Sequence, residues 1–157
     1  VTAAAQIGGD IHVLVAGKDA AGAAKQAAGI AGVSKVLHAD DAAYAYPLAE
    51  NIAPLVASIG KNYSHILATA TTTGKDIMPR AAALLDVSQV SDIMQVIAPD
   101  TFRRPFYAGN AIETVKTDEP IKVITVRQTA FAAAADGGSA SVETLAAQPA
   151  SNKAIFV

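Results

Sequence analysis

The chain has 157 residues, of which 52% are apolar and 5% aromatic, with 12 basic against 14 acidic side chains and no cysteine. That length suits one ordinary domain able to bury a core. The slightly negative balance, with no long Lys or Arg run, argues against non-specific nucleic-acid binding, and the missing cysteine excludes a disulfide framework and a thiol nucleophile.

The opening residues Thr2-Ala3-Ala4-Ala5-Gln6-Ile7 followed by Gly8-Gly9 read as the last turns of a helix with a glycine stop. Two turns would not hold alone, so sequence before Val1 is expected; the alternative is a short helix docked on a sheet. Residues 11–16 form a continuous apolar run closed by Gly17, the pattern of a strand covered on both faces. Residues 18–30 are Ala-rich and predict a helix, weakened by Gly22 and Gly29. A second strand is predicted over 33–39. The next helix carries Leu48, Ile52, Leu55, Val56 and Ile59 on one stripe, with Pro54 requiring a late start or a kink. His65 to Thr69 predicts a third strand. Residues 75–85 predict a helix with Ile77, Ala81, Leu84 and Leu85 on one side, and Pro79 raises the same question as Pro54. Residues 93–97 predict a fourth strand.

This alternation of strand and helix predicts an α/β fold with a mostly parallel sheet and helices on both faces. Beyond residue 100 the style changes. Residues 102–107 and 111–116 flank Ala108-Gly109-Asn110, a turn in which Gly109 and Asn110 are the positions suited to positive φ. With residues 121–127 they predict an appended antiparallel meander. The small, polar stretch after Thr129 reads as linker or surface loop, ending in the apolar residues 153–157. Both ends of the chain read as cut.

No strong catalytic motif is present: no phosphate loop, no dinucleotide fingerprint and no nucleophile elbow. His12, His38 and His65 lie in or beside predicted strands without partners at metal-ligand spacing and are assigned structural roles. Asp40-Asp41 follows a strand end, where α/β sheets bind ligands, but reads better as a solvated cap. The loop from Thr69 to Gly74 leaves a strand and opens a helix, so its amides, its threonines and Lys75 are a candidate phosphate site; ordinary helix capping is the favoured alternative. A basic cluster, Arg103, Arg104, Lys116, Lys122 and Arg127, is interleaved with Phe102, Phe106 and Tyr107. Such a mixture marks either a protein contact or a charged edge that discourages aggregation.

Pro99-Asp100-Thr101-Phe102, Arg104, Tyr107-Ala108-Gly109-Asn110-Ala111 and Thr114-Val115-Lys116 follow one another in an order that resembles the electron transfer flavoprotein alpha subunit. So do Gly74 to Arg80, Val90 to Ile93 and Val126 to Phe131. The resemblance is to the N-terminal domain of such a subunit. It implies an adenine nucleotide alpha hydrolase-like fold over 1–131 lacking its first strand, with 132–157 as a linker or tail towards an absent FAD-binding domain. That strand would lie in the middle of the sheet, so an isolated 1–157 chain is expected to be unstable, domain-swapped or completed by a separate peptide.

The function implied is a scaffold and subunit-interaction domain of an electron carrier, not an enzyme by itself. Electrons would pass from dehydrogenases, such as acyl-CoA dehydrogenases, to a quinone oxidoreductase or similar respiratory-chain acceptor. The implied partner is the beta subunit, which holds the structural AMP of such proteins. FAD belongs to the intact protein and is expected to be absent from these residues. No catalytic, cofactor-binding or metal-binding residue is assigned. Contact with the beta subunit or the flavin domain is assigned to Arg103, Arg104, Tyr107, Lys116 and Arg127. No nucleic acid and no membrane insertion are expected, and the bacterial cytoplasm is favoured over the mitochondrial matrix. The rival function is a stand-alone adenine-nucleotide-binding module using the loop from Thr69 to Gly74.

Overall fold

In the computed structural model, which describes residues 1–157, the chain divides into two units. The first comprises Val1–Ile52 and Ala133–Val157, the second Ala53–Ala132. In the first unit, helix α1 (Thr2–Ile7) ends where Gly8 takes φ 98° and donates its amide to the Ala4 carbonyl. Strand β1 (Ile11–Gly17) follows, then helix α2 (Ala21–Ala28) and strand β2 (Val33–Asp40). β1 and β2 pair in parallel, Val13 beside Val36 and Leu14 beside Leu37. Ala24 and Ala27, one turn apart on α2, pack on Val33 and Val36 with Val13, Val15 and Ile30 around them. Their small side chains let the helix backbone lie close to the sheet.

Two expectations change here. β1 reads as a strand covered on both faces, yet all seven of its residues are half-buried, because β2 pairs with it along one edge only. The tail read as a linker carries strand β9 (Ser141–Thr144), parallel to β2 on that strand's other side. The amides of Gly137 and Gly138 donate to the Gly29 carbonyl, and that of Ala140 to Ala28. A Cβ on Gly138 would sit 2.2 Å from the Ile30 carbonyl oxygen, so only glycine permits this approach. Main-chain hydrogen bonds hold the segment rather than apolar burial, and they leave no periodicity in the sequence.

The boundary between the units falls within helix α3 (Ala49–Gly60), which runs through Pro54. The second unit continues with strand β3 (His65–Thr69) and helix α4 (Thr72–Leu85), which likewise continues through Pro79. Each proline removes one intrahelical donor without ending its helix. Strands β4 (Gln89–Ile93), β5 (Gln95–Ala98), β6 (Thr101–Phe106), β7 (Ala111–Lys116) and β8 (Lys122–Val126) complete it.

β8 lies between β3 and β4, parallel to both, and Val123, Ile124, Thr125 and Val126 are buried. Met78 and Ala82 of α4 cover Val123 from one side. The stretch 121–127 was expected in the antiparallel meander and belongs instead to the parallel sheet. The meander is β5-β6-β7 alone. The single strand expected over 93–97 is also divided: β4 ends at Ile93, and the Met94 amide already bonds the Arg103 carbonyl of the meander. Asp92, at φ 59°, shifts the β4 register between Val90 and Ile93 and turns the chain. The fold is thus mixed α/β, with two three-stranded parallel sheets and one antiparallel sheet.

Candidate functional site

The meander carries most of the basic and aromatic residues singled out in the sequence. Its root is fixed by Phe102, fully buried, which pairs with Val96 of β5 and Val115 of β7. Side chains alternate from there towards the tip. Arg104 and Phe106 continue the face of Phe102, while Arg103 and Pro105 share the opposite face with Thr114 and Ile112. Beyond Phe106 the chain reverses through Tyr107, Ala108 and Gly109, at φ 48°, 55° and 93°. The Asn110 amide donates to the Tyr107 carbonyl at 3.1 Å. The last two φ values match a type I′ turn, whose twist suits a hairpin. Asn110 itself is right-handed at φ −71°, so positive φ falls on Tyr107 and Ala108 rather than on Asn110 as expected. Each of these non-glycine residues costs about 1–2 kcal/mol in that conformation.

The five candidate contact residues have different surroundings. Arg104 Nε meets Glu113 Oε1 at 2.5 Å across the β6–β7 pair, and both side chains are half-buried. Lys116 Nζ lies 3.4 Å from Asp118 and 3.6 Å from Asp100. Asp118 first and Asp100 second raise its pKa. Arg103 reaches only a neutral group, Gln95 Oε1, at 3.4 Å. Tyr107 is 73% exposed, with its ring tilted against Phe106 at 4.4 Å between centroids. Ile112 is 61% exposed on the neighbouring strand. It went unremarked in the sequence, although alternation from the buried Val115 puts it on the outer face.

Arg127 stands apart from these four. It follows β8 at the C-terminal end of the parallel sheet, so the basic cluster does not form one surface. Its guanidinium meets Asp92 Oδ2 at 2.6 Å, and this hydrogen bond raises its pKa. The Asp92 amide donates to Thr125 Oγ1 at 2.8 Å, and the Arg127 amide to the Ile93 carbonyl. Thr125 is the buried polar residue that holds the left-handed Asp92 in place. Lys122 likewise lies on β8, outside the meander.

The other sequence candidates resolve into caps and supports. Thr71 Oγ1 accepts the Gly74 amide at 3.2 Å, capping α4. A Cβ on Gly74 would come within 1.9 Å of the Thr69 carbonyl oxygen, so glycine is needed for the first turn of α4 to sit over the end of β3. Asp40 accepts the amides of Asp19 and Ala20 before α2, at 2.9 and 3.1 Å. Asp41 accepts the Ala43 amide. His65 bridges Ser64 Oγ and the Pro99 carbonyl, and His38 lies 3.5 Å from Asp40. With a carboxylate at one helix start and a capping threonine at the other, these loops do not fit a flavin pyrophosphate. No group of three His, Cys, Asp or Glu residues is placed to hold a metal ion. No helix is long and apolar enough to cross a membrane.

The family model described as electron transfer flavoprotein domain matches residues 1–150. The electron transfer flavoprotein subunit alpha of Pseudomonas aeruginosa is 61% identical over 100% of this chain, which covers 51% of that protein. The subunit alpha of Paracoccus denitrificans is 52% identical over 88% of this chain and 45% of its own length. The probable mitochondrial subunit alpha of Caenorhabditis elegans is 42% identical over 91% of this chain and 44% of its own length. The chain spans about half the length of the curated relatives it matches.

Proposed function

Since this chain belongs to the electron transfer flavoprotein family, we propose that it is the scaffold and subunit-interaction part of an alpha subunit. The intact protein carries electrons on FAD, from dehydrogenases such as acyl-CoA dehydrogenases to a quinone oxidoreductase or similar acceptor, and its partner is the beta subunit. Identity of 61% along the whole chain to a protein named as that subunit is the observation that carries the reading. The site geometry agrees with it, because the exposed aromatic and basic groups lie on a projecting hairpin. These residues form a working surface for contact, not a reaction centre. The flavin is held by sequence outside 1–157, and the protein works in the bacterial cytoplasm, or in the mitochondrial matrix as the names of some relatives have it for themselves.

The full-length subunit, co-expressed with the beta subunit, should purify as a yellow complex whose flavin is reduced by an acyl-CoA dehydrogenase and its substrate. Micromolar AMP or ATP binding by the full-length alpha subunit without its partner, lost on Thr71→Val or Lys75→Ala substitution, would instead favour the nucleotide-binding module.

A further inference from the structure

The hairpin tip is exposed, apolar and rigidly shaped at once. Tyr107 projects with Phe106 behind it, and Ile112 and Pro105 extend the apolar surface along one face of β6–β7. Two non-glycine residues in left-handed backbone set the projection of the ring, and strain of this kind collects where shape is used. The charges narrow the choice of partner. Arg104 is matched by Glu113, Lys116 by Asp100 and Asp118, and Arg127 by Asp92. Arg103 is the meander cation without a carboxylate, and the strand register puts it on the face of Pro105 and Ile112. Tyr and Arg beside aliphatic side chains are the residues that anchor protein interfaces.

We propose that this tip is the anchor of the subunit interface: Tyr107 enters an apolar recess of the second subunit, and Arg103 pairs with a carboxylate on its rim. The proposal rests on the subunit reading above, and of the five candidate contact residues it makes Tyr107 and Arg103 the ones that carry affinity. Arg104, Lys116 and Arg127 hold their own elements in place.

The test uses the full-length alpha subunit and the separately purified beta subunit in a titration. Tyr107→Ala, Ile112→Ser and Arg103→Glu are compared with wild type, with melting temperature and circular dichroism as controls of folding. Tyr107→Ala and Arg103→Glu should each weaken binding about tenfold or more with the melt unchanged, the loss from Arg103→Glu shrinking as salt is raised. If Tyr107→Ala does not fold, Ile112→Ser and Arg103→Glu on the outer face decide the matter. Wild-type affinity in the folded variants would overturn the hairpin proposal and leave the subunit reading standing. No complex from the wild-type subunits would overturn both. Self-association of the alpha subunit alone, abolished by Tyr107→Ala, would assign the tip to a second copy and overturn the proposal.

Discussion

Ala108 shows how a single residue reports on the use of the hairpin. A β-carbon at φ 55° is strained where glycine is not. Ala108→Gly should therefore raise unfolding stability by roughly 0.5–1 kcal/mol in a urea titration, the strain relief being partly offset by glycine's greater freedom when unfolded. Gly74 is the opposite case. Its missing Cβ would lie 1.9 Å from the Thr69 carbonyl oxygen, a backbone atom that cannot swing aside. Gly74→Ala should cost roughly 2–4 kcal/mol, read by the same titration. Turn chemistry at 108–110 is legible in the sequence, but which residue takes positive φ is not. Asparagine tolerates that conformation and alanine does not favour it, so local preference points to Asn110. The pairing of Phe106 with Ala111 sets the loop length and overrides that preference. Asp92 gives no local signal either, since its left-handed backbone is imposed by Thr125, far along the chain.

At the scale of elements, β3 and α4 are readable because an apolar run and a capping threonine mark them locally. The pairing of β8 is not readable. Its apolar sequence fits a meander edge or a buried parallel strand equally well, and only β3 and β4 on either side decide between them. β9 is invisible for another reason: its four residues are exposed, and the segment before it is held by main-chain bonds to the end of α2. Gly138→Val should detach this segment, seen as faster amide exchange from residues 137 to 145 and faster proteolysis there, with exchange in β8 unchanged. The same experiment on the wild-type chain should show β1 exchanging faster than β8, because one edge of β1 is unpaired and its residues are half-buried.

Ion pairs and caps spread over the molecule make its stability depend on pH. Asp100, Glu119 and Glu143 titrate below their ordinary values, held down first by the Thr101 hydroxyl, the Ser88 backbone amide and the hydrogen bond from Lys35 respectively. A depressed carboxyl stabilises the fold fully above its unfolded value, and that contribution is lost as pH falls through the folded value. Stability to urea should hold down to about pH 4.5, the ordinary glutamate value, and fall progressively below it. Glu119→Gln should make that fall shallower. Lys116 has the opposite sign: its raised pKa adds stability up to its ordinary value of 10.5, lost only at higher pH.

The sequence resemblance located the family before any coordinate was considered, whereas the contact surface needed the strand register to sort paired cations from the unpaired Arg103. The central claim, that these residues serve an electron carrier by holding a partner subunit, is tested most directly by native mass spectrometry of the full-length alpha and beta subunits. The account predicts a one-to-one complex carrying flavin, dissociated in favour of free subunits by Tyr107→Ala and Arg103→Glu together. An alpha subunit that stays monomeric beside its partner, or that binds adenine nucleotide alone, would contradict it.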